Sequence, residues 1–287
     1  MRRSYSPLLG LALTTCAPSF DDRGSRISEP RVLAVVAEPA EARPSAQVRF
    51  TAKLALPIDA LPTTAEWAFC EERPAVGDPR SIAESCLDES GIPIRGTGFD
   101  VSARIPSNAC ATFGPEPPPG ALRPADPDAT GGFYQPVRIR AWGRSWVHLF
   151  RIRCELPNAP SDAARALAEA YEPNLAPQLD ALSLSAVRAG ETLTLRASWA
   201  SESAESFVWL PPGGSSVQAQ REWLRVRWYS SDGQFGSDVT GRDANDAATN
   251  SDNTWRAPAT NGPVTLWLVL SDARGASDVI EANVVVE

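Results

Sequence analysis

The chain has 287 residues, of which 43% are hydrophobic and 22% charged, a composition typical of a folded globular protein with about two domains. Its formal net charge of −8 argues against a nucleic-acid-binding role, because contacts to phosphates require a basic surface. The 26 Pro and 19 Gly residues favour short segments joined by turns, which indicates an all-β fold class.

The N-terminus has the parts of an export signal. Arg2 and Arg3 precede the apolar run PLLGLAL, which is far shorter than the roughly 20 residues that a membrane-spanning helix needs. The next stretch, LTTC, resembles the lipobox of bacterial lipoproteins, in which a Leu stands three residues before a Cys that is lipidated after cleavage. The resemblance implies a signal peptide over residues 1–15 and a lipid on Cys16; an ordinary secretory signal is the alternative.

The cysteine count agrees with a lipid on Cys16. A fifth cysteine would leave an odd thiol in an exported protein, whereas the remaining four can form two disulfides in an oxidising compartment. Sequence alone permits three pairings of these four. We predict Cys70–Cys86, which would restrain a loop after a strand, and Cys110–Cys154, which would tie a long Pro-rich excursion to the last strand of its domain.

Residues 16–30 are polar and predict a flexible tether, after which strand patterns begin. The segment RVLAVVAEP is apolar and β-branched, and QVRFTAKLAL alternates with a period of two, as a half-buried strand does. TAEWAFC is a third candidate, and QPVRIRAW and SWVHLFRIRC predict a pair of strands that turns at Gly143. Residues 31–155 are therefore predicted to form a Cys-containing β-sandwich domain, with residues 114–132 as a Pro-rich extended loop.

Residues 156–177 are predicted to be a linker with one short helix. Its centre, SDAARALAEAYE, is Ala-rich, has Ser161 as a candidate N-cap, and lies between Pro160 and Pro173. A second series of strand patterns follows, with turn signals every 8–12 residues, as in β-sandwiches. Its members are QLDALSLSAV, ETLTLRASW, WLRVRWYS, NTWRAP, PVTLWLVLSD and SDVIEANVVVE. We assign residues 178–287 to a second β-sandwich domain.

The end of this domain, TWRAPATNGPVTLWLVLSDARGASDVIEANVVV, resembles the closing strands of bacterial Ig-like and PKD-type domains. The shared features are a strand ending in Asp272, a turn with Gly275 and a valine-rich last strand. The whole layout resembles two-domain surface lipoproteins of GC-rich Gram-negative bacteria. The resemblance implies two Ig-like β-sandwich domains in the cell envelope, as an outer-membrane lipoprotein, and carries over no biochemical activity.

No catalytic motif is recognised, and we expect neither an enzyme activity nor a cofactor. His148 is the one His, so a zinc site with several His ligands is excluded, and no C-x-x-C pair is present. Because His148 falls within a strand pattern, it is predicted to be structural and to face solvent or a loop. No Gly-rich phosphate loop follows a strand.

Two further features have both a structural and a functional interpretation. Six tryptophans fall in strand patterns and are predicted to be core: Trp142, Trp146, Trp199, Trp223, Trp228 and Trp267. Trp209, which leads into a loop, is predicted to be the most exposed and could stack on a sugar. The stretch of residues 232–252 carries a weak candidate cation site, but we interpret it as a solvated hairpin loop because Asp and Asn are ordinary turn residues. The candidate ligands are Asp232, Asp238, Asp243 and Asp246.

The sequence thus predicts a non-catalytic cell-envelope lipoprotein that acts as an adhesion, scaffolding or envelope-interaction module. The alternative is a glycan- or ligand-binding lipoprotein that is accessory to an envelope enzyme or secretion complex. The expected partners are the membrane, through the N-terminal lipid, and an envelope protein or glycan, with no nucleic acid.

Overall fold

The structure is a computed structural model that describes residues 24–57, 60–61, 63–74, 82–88, 90–115, 130–156, 159–211 and 213–287. Cys16, the predicted signal peptide and the tether up to residue 23 lie outside the described residues. Strands make up 47% of the described residues and helices 9%, which confirms the all-β prediction. Among the described residues, no helix is both long enough and apolar enough to cross a bilayer.

In the first half of the chain, the described residues form eight strands and two short helices. They are β1 (Arg31–Glu38), β2 (Glu41–Ala42), β3 (Gln47–Ala55), β4 (Glu66–Phe69), α1 (Glu84–Leu87), β5 (Ile92–Ile94), β6 (Asp100–Arg104), α2 (Ala109–Phe113), β7 (Gly132–Ala141) and β8 (Arg144–Arg153). The strands form a three-stranded sheet in the order β1-β3-β6 and a five-stranded sheet in the order β2-β8-β7-β4-β5. We call this pair of sheets the first sandwich.

The core of the first sandwich is built by the alternating residues of both sheets. The Phe50 ring of β3 lies edge-on against Phe150 of β8, with 5.2 Å between ring centroids, and also contacts Trp67 and Phe69 of β4. All four rings are buried, so these strands turn an apolar face to the core, as a pattern with a period of two predicts.

Both predicted disulfides are present in the first sandwich. Cys70 follows β4 and is joined to Cys86 of α1, with 5.2 Å between the Cα atoms. Cys110 of α2 is joined to Cys154 after β8, with a Cα separation of 5.4 Å. Each bridge therefore fixes a short helix to the five-stranded sheet.

The second half begins with α3 (Ser161–Ala170) and continues with a strand-rich unit. Its elements are β9 (Thr192–Ser198), a 3₁₀ turn (Ser201–Ser203), β10 (Ser206–Trp209), β11 (Gln218–Arg221), β12 (Leu224–Ser230), β13 (Gln234–Phe235), β14 (Val239–Arg242), β15 (Asn250–Arg256), β16 (Gly262–Asp272) and β17 (Ser277–Val286). The sheets run β14-β12-β16-β17 and β13-β15-β9, and β10 and β11 form a two-stranded sheet. These two larger sheets, the second sandwich, enclose Trp228, Trp255, Phe235, Leu266 and Leu268.

Two local predictions need correction. Residues 178–187 do not form a regular strand, because their backbone makes only two isolated bridges, Leu179–Trp199 and Val187–Val286. Their half-buried leucines still pack on the second core, which explains the alternating pattern. Residues 232–252 are not a simple hairpin loop: they contain β13, β14 and the start of β15, and they pass between the two sheets.

The structure changes two predicted boundaries: the end of the tether before β1 and the first residue of helix α3. Within the predicted tether, Ser25 and Ile27 are buried and exchange backbone hydrogen bonds with Ser230 of β12. Helix α3 lies where it was predicted, but Pro160 occupies the N-cap position and Ser161 is already helical, without a side-chain capping bond. Within the described residues, chain that packs on a sandwich therefore already occurs at residue 25, inside the predicted tether.

Candidate functional site

The two sandwiches lie against each other through one face of a sheet. Tyr229 of β12 and Trp267 of β16 point away from the second core and form an apolar cluster with Leu33 of β1, Ala55 of β3 and Ile27. Trp267 is 2% exposed, although its position alternates with core residues. The outer face of the β12-β16-β17 sheet is thus a buried contact between the sandwiches.

A cleft of about 480 Å³ opens beside this contact. This volume falls within the range of about 300–1,000 Å³ that is usual for small-molecule sites. Its wall from the first sandwich includes Leu33, Ala34, Tyr134, Trp146, His148 and Leu149. Its wall from the second sandwich includes Trp223, Arg227, Val269, Ser271, Gly275 and Ser277.

Strand register explains the second wall. Ser271 of β16 pairs with Ser277 of β17, and their hydroxyl oxygens are 2.8 Å apart. On the other side of β16, Arg227 of β12 pairs with Val269. Because residues two apart share a face of a strand, this register places a cation, a methyl-bearing side chain and two hydroxyls on one surface.

Of the two charged side chains that line the cleft, one is already hydrogen-bonded within the protein and the other can bind a ligand. Asp272 also lines the cleft, but its carboxylate accepts hydrogen bonds from the backbone N–H groups of Arg274 and Ala276 at 2.9 Å, and from Asn174 Nδ2 at 3.1 Å. Arg227 is exposed, and within the described residues no carboxylate pairs with it. The cleft therefore offers one available positive charge, in a chain whose net charge is −8.

The sequence predicted that His148 faces solvent or a loop, but the structure places this side chain between the two sandwiches. It is half-buried in the cleft wall, and its ring centroid is 6.5 Å from that of Phe150. Burial lowers the pKa of His148 to about 4, so its imidazole is neutral at pH 7. The reason for the difference is the second sandwich, which covers the edge of β8.

Close to the cleft, residues 171–174 enter a first buried network around Arg151 of β8. The Arg151 Nε donates to a Glu41 carboxylate oxygen at 2.9 Å, and both side chains are almost completely buried. Glu41 also accepts from the Tyr171 hydroxyl and from the backbone N–H of Asn174, the latter at 3.2 Å. Burial raises the pKa of Tyr171 above its usual value. We call this set the Arg151 network.

The same segment enters a second buried network around Arg274, in the turn between β16 and β17. The guanidinium donates to Glu222 and Glu205, each at 2.8 Å, and to the backbone carbonyl of Glu172 at 2.9 Å. Burial, with repulsion from Asp272, raises the pKa of Glu222 to about 7. Burial likewise raises the pKa of Asp272 to about 6. We call these residues, with Asn174, the Arg274 network.

These networks fix the linker to both sandwiches. Asn174 belongs to both, since its backbone N–H donates to Glu41 and its side chain donates to Asp272. Each hydrogen bond to a buried carboxylate contributes about 1.5–3 kcal/mol, so a change in the angle between the sandwiches would break several strong bonds. The cleft walls are therefore held at a fixed separation.

The sequence did not single out the residues of these networks. Glu41 and Arg151 are 110 positions apart, and Arg274 and Glu222 are 52 apart. The available signals were weak: Arg151 occupies a position in β8 that alternation assigns to the outer face, and Arg274 falls in a predicted surface turn. Only the arrangement of the two sandwiches makes these side chains buried.

The predicted tryptophan positions are partly correct. Trp199, Trp228 and Trp267 are buried, whereas Trp142 and Trp146 are half-buried. Trp223 was predicted to be core but is 37% exposed, and Trp209, which was predicted to be the most exposed, is half-buried. Trp223 precedes β12 at the rim of the cleft, so it has no opposite sheet to cover it.

The structure does not bring the four candidate cation ligands together. Asp232 pairs with Arg26, Asp243 with Arg225 and Asp246 with Arg242. The fourth candidate, Asp238, accepts a hydrogen bond from Trp228 through its backbone carbonyl. Among the described residues, no group of three His, Cys, Asp or Glu side chains is arranged to hold a metal ion.

No protein-family model and no curated protein sequence matches the chain. Solved structures align only loosely. The Yersinia pseudotuberculosis adhesin InvE aligns at 12% identity over 88% of this chain and 58% of that one, with a TM-score of 0.26. A Bacteroides ovatus mixed-linkage glucan utilisation protein, SGBP-B, solved with a heptasaccharide, aligns at 12% identity over 91% and 48%, with a TM-score of 0.20. This chain spans less than two thirds of either protein, and likeness at such TM-scores supports no inference about function.

Proposed function

We propose that this protein is a non-catalytic envelope-interaction module of the Ig-like, PKD-type lipoprotein class, exported and anchored by a lipid on Cys16. The observation that carries the proposal is the cleft, whose two walls come from different sandwiches and are held by the buried linker networks. A fixed surface built from two domains suits recognition of a partner. The two disulfides support export, because such bonds persist in oxidising compartments.

The chemistry of the cleft wall supports binding as its role. It presents aromatic rings, paired hydroxyls and one available guanidinium, which supply stacking, hydrogen bonds and an ion pair. His148 faces the same space as a neutral imidazole, and among the described residues it makes no hydrogen bond to a hydroxyl or carboxylate. We therefore assign the cleft to recognition and not to a reaction.

A second candidate function is a ligand-binding lipoprotein that is accessory to an envelope complex. The size of the cleft favours it, since a cleft of about 480 Å³ accepts a small molecule or part of a chain. In this case the partner is a ligand held between the sandwiches and not a protein that covers them.

The proposal is tested by site-specific photo-crosslinking in intact cells of the producing organism. A photoreactive amino acid replaces Leu149, which is 37% exposed at the cleft, or Val285, which is 56% exposed near the far end of β17. We expect a discrete crosslinked protein from position 149 and not from position 285, and we expect Cys16→Ala to abolish it while releasing the protein from the membrane fraction. Equal crosslinking at both positions, or a Cys16→Ala protein that stays in the membrane, would contradict the proposal.

A further inference from the structure

We propose that the cleft binds an acidic saccharide, with the ligand carboxylate on Arg227 and sugar rings against Trp146 and Trp223. The inference rests on the second candidate function, ligand binding between the sandwiches, and names its ligand class. It follows from three properties of the wall: aromatic faces, an available cation and neutral polar groups.

Aromatic side chains stand on both sides of the cleft. Trp146 comes from β8 of the first sandwich and Trp223 precedes β12 of the second. Both are held in place: Trp146 lies edge-on to Trp142 at 6.3 Å between centroids, and the Arg225 guanidinium lies 5.3 Å from the Trp223 ring. Rings that are fixed and partly exposed offer flat apolar faces, which match the C–H faces of a sugar ring.

The available charge of the cleft is positive. Arg227 is exposed and has no carboxylate partner among the described residues, whereas two other arginines of the second sandwich have one. Arg196 pairs with Asp252 and Arg225 with Asp243. The acid that lines the cleft, Asp272, is engaged by Asn174 and two backbone N–H groups. A guanidinium binds a carboxylate with two parallel hydrogen bonds, so a ligand with a carboxylate complements this wall.

Neutral polar groups complete the site for a hydroxyl-rich ligand. The Ser271 and Ser277 hydroxyls bond to each other at 2.8 Å and each retains further hydrogen-bonding capacity. The neutral imidazole of His148 can donate from one nitrogen and accept at the other. A purely apolar carboxylate would leave these groups unsatisfied, whereas a uronic acid residue supplies both the carboxylate and the hydroxyls.

The test is isothermal titration calorimetry of the full mature chain with tetrasaccharides of galacturonate, glucuronate and mannuronate, each compared with its methyl ester. We expect saturable binding of at least one acid, about tenfold or more tighter than its ester, because a charge-assisted pair is lost on esterification. In Arg227→Gln the affinity for the acid should fall to that for the ester, so the ratio of the two affinities should approach one.

Two matched controls separate the cleft from general effects. Arg196→Gln, on the outer face of the opposite sheet, should leave the affinity and the acid-to-ester ratio unchanged. Trp223→Ala should weaken acid and ester alike, whereas Trp209→Ala, outside the cleft, should weaken neither. Unchanged near-ultraviolet circular dichroism would show that each variant keeps its fold.

The inference would be overturned if no acid bound at millimolar concentration, or if acid and ester bound equally well. An acid preference that survives Arg227→Gln would also overturn it. Preference for neutral saccharides would overturn the acidic ligand class while retaining ligand binding in the cleft. Photo-crosslinking from position 149 tests the interaction module independently, since it requires no saccharide.

Discussion

The two networks that hold the linker differ in their charge balance. The Arg151 network places one guanidinium beside one carboxylate, Glu41, with the Tyr171 hydroxyl as an additional donor. The Arg274 network places one guanidinium near three carboxylates, those of Glu205, Glu222 and Asp272. Both are buried, so the difference lies in the number of acids and not in exposure to water.

This difference shows how a protein interior accommodates an excess of acid. A buried pair of opposite charges can remain ionised, because attraction and hydrogen bonds offset the loss of hydration. Burial disfavours the charged form of a carboxyl group and raises its pKa, and a neighbouring carboxylate raises it further. Burial, with repulsion from Asp272, thus raises the pKa of Glu222 to about 7, and burial raises the pKa of Asp272 to about 6. The Arg274 network is therefore expected to respond to pH near neutrality.

The largest effect should come from removing the guanidinium of the unbalanced network. At pH 7, Arg274→Met should lower the free energy of unfolding by about 3–5 kcal/mol, because buried carboxylates lose their partner. Arg151→Met should cost less, since Glu41 keeps two donors, the Tyr171 hydroxyl and the Asn174 N–H. Urea denaturation measures both, with Arg196→Gln as an exposed control that should cost about 0–1 kcal/mol. Equal losses for the two methionine variants would remove the contrast between the networks.

The next effect is a dependence of stability on pH. Glu222 and Asp272 hold protons to higher pH in the folded state than at their ordinary pKa values of 4.5 and 3.8. Between about pH 4 and 7 the folded state thus binds more protons than the unfolded state, so stability falls as pH rises through this window. The Glu222 contribution should reach about 3–4 kcal/mol, at about 1.4 kcal/mol per pKa unit.

Urea denaturation at pH 5, 6, 7 and 8 measures this dependence in the native chain and in Glu222→Gln. The variant should lose the Glu222 part of the decline, so its stability relative to the native chain rises with pH. His148 acts with the opposite sign, because its lowered pKa makes stability fall as pH drops below about 6.5. The difference between the two proteins cancels that contribution. A difference that does not change with pH would show that Glu222 is ionised throughout.

A smaller effect should follow from disturbing the balanced network sterically. A methyl group at Gly132 would overlap the Arg151 guanidinium, which cannot move away without leaving Glu41. Gly132→Ala should therefore lower stability by about 1–3 kcal/mol, as overpacking does. Gly24→Ala is the matched control, because a Cβ at Gly24 has open space, and it should leave stability unchanged. Thermal denaturation measures both variants. A neutral Gly132→Ala would mean that the Arg151 network tolerates displacement.

The smallest effect should come from removing one neutral donor. Tyr171→Phe deletes the hydroxyl that donates to Glu41 but keeps the ring on which the Arg153 guanidinium lies, 4.0 Å from the centroid. We expect a loss of about 1 kcal/mol in urea denaturation, the usual contribution of one hydrogen bond. Tyr229→Phe is the control, because within the described residues the Tyr229 hydroxyl makes no hydrogen bond. A loss above that of Arg151→Met would show that the hydroxyl, and not the guanidinium, holds Glu41.

The local pattern of the sequence was sufficient to predict most strands and helix α3. The two disulfides are the preferred one of the three pairings that the sequence allows. Alternation in β3 depends only on neighbouring residues, and it correctly placed Phe50 on the buried face. In β8 it assigned His148 to the solvent or a loop, whereas Phe150, on the same face of the strand, is buried in the core. It failed for residues 178–187, whose leucines pack on a sandwich without a paired backbone. Apolar periodicity predicts which side chains are buried. It does not predict backbone pairing, because pairing also needs a neighbouring strand with a free edge.

The sequence by itself thus determined the all-β class and the helix between the two halves, since these follow from period, composition and position along the chain. It also supplied four cysteines for two disulfides, without deciding among their three pairings. Only the tertiary structure decided which outward-facing residues become buried. Trp267 and Arg151 both occupy outer positions of their strands, and each is buried because another part of the molecule covers that face. The hydrogen bonds to Glu41 and from the Arg274 guanidinium join residues that are 52 to 133 positions apart, and no local pattern encodes such contacts.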